Sequence, residues 1–265
     1  MPAQSALRAQ PADVPSSHVK DRVSAEEWAV RVDLAACYRL VAHFGWDDLI
    51  YTHLSARVPG PEHHFLINPF GMMFGEVTAS SLVKIDQHGE IVLPTGYGIN
   101  KAGFVIHGAV HEARDDAQAV LHTHTTAGVA VSAQKWGLLA IGQTSMTYTD
   151  DMAYHEYEGI ALEMDERTRL VADLGTRNNM ILRNHGLLTV GRTVAEAFVR
   201  MFFLEKACTA QIAALSAGYD NLHFPPAAAQ ETVTRQVANR DAIGGNLEWP
   251  ALLRLLDRQD PSYRD

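Results

Sequence analysis

Ala117-Gln118-Ala119-Val120-Leu121-His122-Thr123-His124-Thr125 begins as a short apolar run and ends in two histidines one residue apart. The run predicts a buried strand over Ala117 to His122. Residues two apart in a strand point to the same side. His122 and His124 can therefore aim both imidazoles at one point if the segment stays extended where it leaves the apolar run. Neutral imidazole nitrogens suit zinc, iron, manganese or nickel. Such a pair also occurs as core histidines that hydrogen-bond internally, and the motif alone leaves both readings open.

Working outward, Thr126 to Lys135 has helical spacing. Further along, Asn179-Met180-Ile181-Leu182-Arg183 and Gly186-Leu187-Leu188-Thr189-Val190-Gly191 read as two strands meeting at Asn184-His185. The polar group Arg183-Asn184-His185-Gly186 fits a β-bulge around a satisfied buried histidine, or a third metal ligand. A long helix from Thr193 to about Ala217 follows and stops at Gly218. On the other side, Ser24-Ala25-Glu26-Glu27 resembles an N-cap with an acidic first turn, opening a helix through Leu40 and Phe44. Thr52 to Val58 and Phe65 to Ile67 flank Pro59-Gly60-Pro61 as a hairpin. Ser81 to Asp86 and Glu90 to Leu93 predict a second strand-turn-strand unit, and Gly103 to Ala113 a helix. Interleaved helices and hairpins predict a mixed, largely antiparallel sheet between helices, an α/β/α sandwich rather than a dinucleotide-binding fold.

The chain has 265 residues, 47% hydrophobic and 20% charged, which suits one large globular domain. A formal net charge of -9 argues against nucleic acid and anionic membranes as partners and favours a small molecule. Cys37 and Cys208 lie far apart in helical segments, as reduced core thiols would. Residues 1–23 lack periodicity and predict a flexible tail, or a strap along a neighbouring subunit. They lack the apolar core of a signal peptide, and no later apolar run is long enough to span a bilayer, so the expectation is a cytoplasmic protein. The main domain is expected over 24–226. A polar, irregular extension over 227–265, with a short helix near Trp249 to Leu255, would pack on the domain or a subunit interface.

The order of HxH, a long interval, RNHG, an apolar strand and a long helix resembles the class II aldolase/adducin family over roughly Ala25 to Pro226. The phrasing of Asn100 to His107, Val131 to Leu139 and Ala153 to Gly159 looks closest to its adducin-head-like bacterial branch. The resemblance implies a three-layer α/β/α domain, a homotetramer with sites near subunit boundaries, and a divalent ion on His122, His124 and His185. Zinc is the first expectation, with iron or manganese as alternatives. Three neutral histidines would leave a coordination position open, where a substrate oxygen is polarised and a developing enediolate stabilised.

Departures from the family matter as much. Its sugar-phosphate aldolases carry Ser-Ser-Glu ahead of a helical histidine, the glutamate serving as acid/base. Four residues before His107 this chain has Gly103, preceded by Lys101 and Ala102. The family's Gly-Asn-x-Ser phosphate loop reads here as Thr52-His53-Leu54-Ser55. A neutral or carboxylate substrate suits these changes as well as a phosphorylated one, with Arg57, Lys101 or Arg183 as anion partners. Candidate proton carriers are His107, Tyr154, His155 and Tyr157, with Tyr154 and His107 preferred. The Tyr154 to Tyr157 cluster equally fits an aromatic loop at an interface. His107 fits either a helix histidine bonded to a neighbouring loop or a direct metal contact. Asn68 and Gly71 sit in a turn that resembles the family's substrate turn, and with Lys101 complete the expected substrate residues. Asp150 and Asp151 read as a solvated pair. The favoured activity is a metal-dependent carbon-carbon lyase acting on a small hydroxy- or oxo-acid or sugar-derived substrate. A non-haem iron oxygenase or decarboxylase on the same fold and a non-catalytic adducin-like binding or assembly module are the alternatives.

Overall fold

The computed structural model describes residues 19–159, 165–238 and 245–265. Residues 1–18, most of the expected tail, lie outside them. The elements in chain order are α1 (Ala25–His43), β1 (His53–Arg57), β2 (Phe65–Ile67), β3 (Val83–Ile85), α2 (Lys101–Ala113), β4 (Ala119–Thr123), α3 (Thr126–Ser132), α4 (Gln143–Met146), β5 (Met152–His155), α5 (Glu166–Leu174), β6 (Asn179–Leu182), β7 (Gly186–Gly191), α6 (Val194–Leu215), α7 (Ala227–Ala238) and α8 (Glu248–Gln259). The strands form one sheet in the order β3-β2-β1-β4-β7-β6-β5. Every neighbouring pair is antiparallel except β5 with β6.

Side-chain alternation divides the core between the two faces of this sheet. Leu54, Leu66, Leu121, Ile181 and Leu187 meet α1 and α6 on one side, where Leu34, Tyr38, Phe198, Met201 and Leu204 are buried. Val120, Met180, Leu188 and Val190 meet α2 and α5 on the other, against Val105, Val110, Leu170 and Leu174. The result is the three-layer sandwich expected from the sequence. Each large apolar side chain fully buried in this way contributes about 1.5–3 kcal/mol. Helix starts follow from local chemistry. The side chains of Ser24, Thr125 and Thr193 accept from the backbone N–H of Glu27, Gly128 and Glu196 respectively, capping α1, α3 and α6.

Several elements differ from the sequence expectation. Glu90 to Leu93 does not form a strand; only Ile91 bridges to Ile85. The extension is more ordered than its polar composition suggested, carrying both α7 and α8. Trp249 Nε1 donates to Asp33 at 3.0 Å, and Tyr263, beyond α8, is fully buried. Asp151 is no solvated loop residue: it accepts from the side chains of Asn178, Asn179 and Arg200 and so ties β5 to β6 and α6. Cys37 and Cys208 are free and buried, and burial pushes the Cys37 thiol well up. Among the described residues no helix is long and apolar enough to cross a membrane.

Candidate metal centre

β4 delivers His122 within the strand and His124 just beyond it, while the β6–β7 turn delivers His185. Local geometry accounts for each residue of that turn. Asn184 adopts φ 56°, a left-handed conformation that asparagine tolerates better than most residues. A Cβ on Gly186 would lie 2.3 Å from the Thr123 carbonyl oxygen, so only glycine lets β7 approach β4 here. Arg183 donates to the Gln134 carbonyl at 2.8 Å and covers the Tyr154 ring at 4.4 Å. Thr125, next to His124, is anchored by donating to Glu205 of α6 at 2.5 Å. The β-bulge reading of this segment gives way to a tight turn closed by His185 N–H donating to the Leu182 carbonyl at 3.1 Å.

His122 Nε2 lies 2.8 Å from His124 Nε2 and 3.3 Å from His185 Nε2. His122 Nδ1 donates to the Leu187 carbonyl at 2.9 Å, and His124 Nδ1 meets Asp48 at 3.1 Å. These partners leave bare Nε2 lone pairs facing one another, a repulsive arrangement that a cation relieves. Ligands on a tetrahedral ion stand about 3.3 Å apart when each bond is about 2.0–2.1 Å, so this donor set fits a divalent metal. Burial holds His122 well below the ordinary histidine range, and burial with neighbouring imidazoles takes His185 down to about 4. Both imidazoles are therefore neutral near pH 7, the form in which histidine can hold a metal.

Behind this trio lies a second group of buried residues that sequence reasoning did not assemble. β1 pairs with β4 so that His53 stands opposite His122, with ring centroids 5.2 Å apart. His53 Nδ1 is 2.8 Å from His107 Nε2, and His107 Nδ1 is 2.6 Å from Ser55 Oγ. Ser55 Oγ is also 2.7 Å from His111 Nε2, whose Nδ1 reaches the Ala117 carbonyl at 2.8 Å. The signal was present, since His53 and Ser55 alternate on one strand and His107 and His111 are four apart on one helix. Their union depends on β1–β4 register and α2 docking. The His53 ring occupies the space beside Gly103, where a Cβ would come within 2.7 Å of His53 Cδ2. Thr52, just before it, is held at φ 63°, a strained conformation for a β-branched residue that costs about 1–3 kcal/mol.

The other expected residues are distributed unevenly. His107 is fully buried between His53 and Ser55, and both of its ring nitrogens are engaged by them rather than by the trio, as a buried helix histidine bonded to its neighbours. Tyr154 is not brought to the trio: its hydroxyl accepts from Leu138 N–H at 3.1 Å, and its ring packs toward α6. Tyr157 is nearer, exposed and with its ring centroid 6.4 Å from that of His185. A pocket beside His185 is lined by His155, Glu156, Tyr157, Glu166 and Arg183. Within it His155 Nδ1 meets Asp173 at 2.7 Å, while its Nε2 is sealed from solvent without a hydrogen-bond partner among the described residues. Asn68 is buried, and its Oδ1 accepts from Tyr38. Gly71 and Lys101 are exposed, Lys101 at the start of α2. Arg57 is engaged with the carbonyls of His111 and Arg114 at the end of α2, away from the role of anion partner.

Comparison with known proteins places this geometry in context. The Class II Aldolase and Adducin N-terminal domain family matches residues 32–212. A solved aldolase II superfamily protein from Pseudomonas syringae is 58% identical with a TM-score of 0.89, over 93% of this chain and 99% of that one. The L-fuculose 1-phosphate aldolase from Glaciozyma antarctica is 30% identical with a TM-score of 0.80, over 97% of each chain. Alpha-adducin from Mus musculus is 42% identical over 245 residues, 87% of this chain but 33% of that protein.

Proposed function

Because this chain belongs to the class II aldolase and adducin family, we propose that it is a metal-dependent carbon-carbon lyase acting on a small hydroxy- or oxo-acid or sugar-derived substrate. The observation that carries this reading is the convergence of three histidine Nε2 atoms, two of them with the opposite ring nitrogen tied to a carbonyl or carboxylate. A divalent ion held there, zinc in the first instance and iron or manganese otherwise, supplies Lewis acidity toward a substrate oxygen.

The chain's own residues orient and sequester. Leu187 and Asp48 fix the ring planes of His122 and His124. In this reading substrate meets the ion beside His185, and the proton carrier is Tyr157, which is exposed with its ring centroid 6.4 Å from that of His185. In this reading the protein works as a homotetramer. The assembly-module alternative draws support from the likeness to alpha-adducin, a likeness confined to a third of that protein.

Metal content of protein purified without added metal separates the two. Near-stoichiometric metal in wild type, lost in His122→Ala and His185→Ala variants that keep their circular dichroism, is the expected result. Folded wild-type protein that neither holds nor takes up zinc, iron or manganese would move the reading to the assembly module.

A further inference from the structure

The buried chain behind the trio has a fixed polarity. The Ala117 carbonyl can only accept, so His111 Nδ1 must donate to it at 2.8 Å. A neutral His111 then has a bare Nε2, which accepts from the Ser55 hydroxyl at 2.7 Å. With its proton committed, Ser55 Oγ accepts from His107 Nδ1 at 2.6 Å. That leaves His107 Nε2 bare, so His53 Nδ1 donates to it at 2.8 Å. One carbonyl at the far end thus sets three imidazole tautomers in series, and the last of them leaves His53 Nε2 without a proton.

Neutrality of the series follows from its setting. His53, Ser55, His107 and His111 are all at most 3% exposed, and no carboxylate is hydrogen-bonded to any of them among the described residues. An unpaired imidazolium buried in this way would be costly. His53 Nε2 makes no hydrogen bond among the described residues. Its ring lies over Gly103, beside His122, and within electrostatic reach of His124 and His185.

We propose that His53 is a specificity-determining residue whose bare Nε2 accepts a hydrogen bond from a substrate hydroxyl beside the metal-binding oxygen, and that His107, Ser55 and His111 are positioning residues that hold this tautomer. The proposal rests on the lyase reading above and names its substrate class. A bare nitrogen on a ring beside His122 accepts from a hydroxyl group. It repels a carboxylate or phosphate oxygen, which has only lone pairs to offer. The class selected is therefore a molecule carrying a hydroxyl next to its chelating carbonyl or carboxylate, and the analogue lacking that hydroxyl leaves the nitrogen unpaired.

The test has two parts, both on the metal-loaded protein. A joint neutron and X-ray structure near pH 7.5 is expected to show a deuteron on His53 Nδ1 and none on Nε2. In Ser55→Ala the series is cut, and His107 and His53 are expected to lose their single tautomer while His122 keeps its own. A deuteron on His53 Nε2 in wild type would overturn the proposal, whatever the variants do. The second part measures the binding of glycolate against acetate, a pair differing by one hydroxyl. The preference for glycolate is expected to fall about tenfold in His53→Phe, with His53→Asn as the replacement if that variant fails to fold. An unchanged preference would refute the substrate assignment. Metal content, read separately, distinguishes this failure from failure of the lyase reading, because absent metal says nothing of where the His53 deuteron lies.

Discussion

Among single residues, His111 illustrates how burial converts an ordinary side chain into a pH-sensitive one. Its folded value is lowered to about 4 by burial, against an ordinary 6.5, while the Ala117 carbonyl opposes the shift and Arg57 adds to it. The sign is that of a group favouring its neutral form in the fold. As pH falls through 6.5 the unfolded chain takes up the proton first, so the stabilisation is complete above 6.5 and lost between there and 4. Lowering the pH from 7.5 to 5 is expected to cost about 2 kcal/mol from His111 alone, and the buried His53 and His107 act in the same direction. Urea unfolding of chelator-treated protein at the two pH values measures this; equal stabilities would mean that His111 titrates as if exposed. The trio itself was legible in the sequence because HxH and RNHG are local patterns. His53 was not, because its importance comes from standing opposite His122 across two strands far apart in the chain.

The elements show the same division between local and non-local causes. α1, α6 and the central strands could be read because each carries a periodic apolar stripe. β5 and α5 carry no such stripe: β5 is four residues long and flanked by acidic and aromatic side chains, and α5 buries only Glu166, Leu170 and Leu174. α7 is rich in alanine and polar residues, with little apolar face to announce it. Helix α2 carries the sharpest test of how elements fit. Replacing a helical glycine by alanine ordinarily stabilises by about 0.5–1 kcal/mol. In Gly103→Ala the new Cβ would meet His53 Cδ2 at 2.7 Å, and that ring is held by His107. The substitution is expected to destabilise by about 1–2 kcal/mol instead, through overpacking. In a His53→Asn background the penalty should vanish, and a double-mutant cycle in urea measures that coupling. Additive effects would show that α2 and β1 are less tightly fitted than the geometry states.

For the whole molecule, the C-terminal segment is part of the packed structure. Arg39 of α1 donates to Asp260 and Ser262, and the backbone N–H groups of Ala79 and Ser80 donate to the carbonyls of Tyr263 and Asp265. Trp249, Leu256 and Tyr263 are each at most 6% exposed. Removing residues 245–265 takes away these bonds and all three buried side chains, a loss of about 5 kcal/mol and a large part of an ordinary domain's stability. Calorimetry is expected to show a melting temperature lowered by more than about 10 °C, or no cooperative transition at all; an unaltered melt would reduce the segment to an appendage. The sheet order has a kinetic corollary. β4 sits at the centre, between a strand that precedes it and one that follows, and His122 and His185 are 63 residues apart in the chain. Two of the proposed ligands travel together on one segment, but the third joins them only once the β6–β7 turn has been brought to β4. Such pairings close large loops and form slowly. Metal added during refolding should therefore leave the early phases unchanged and act on the last, by slowing the return from the native state.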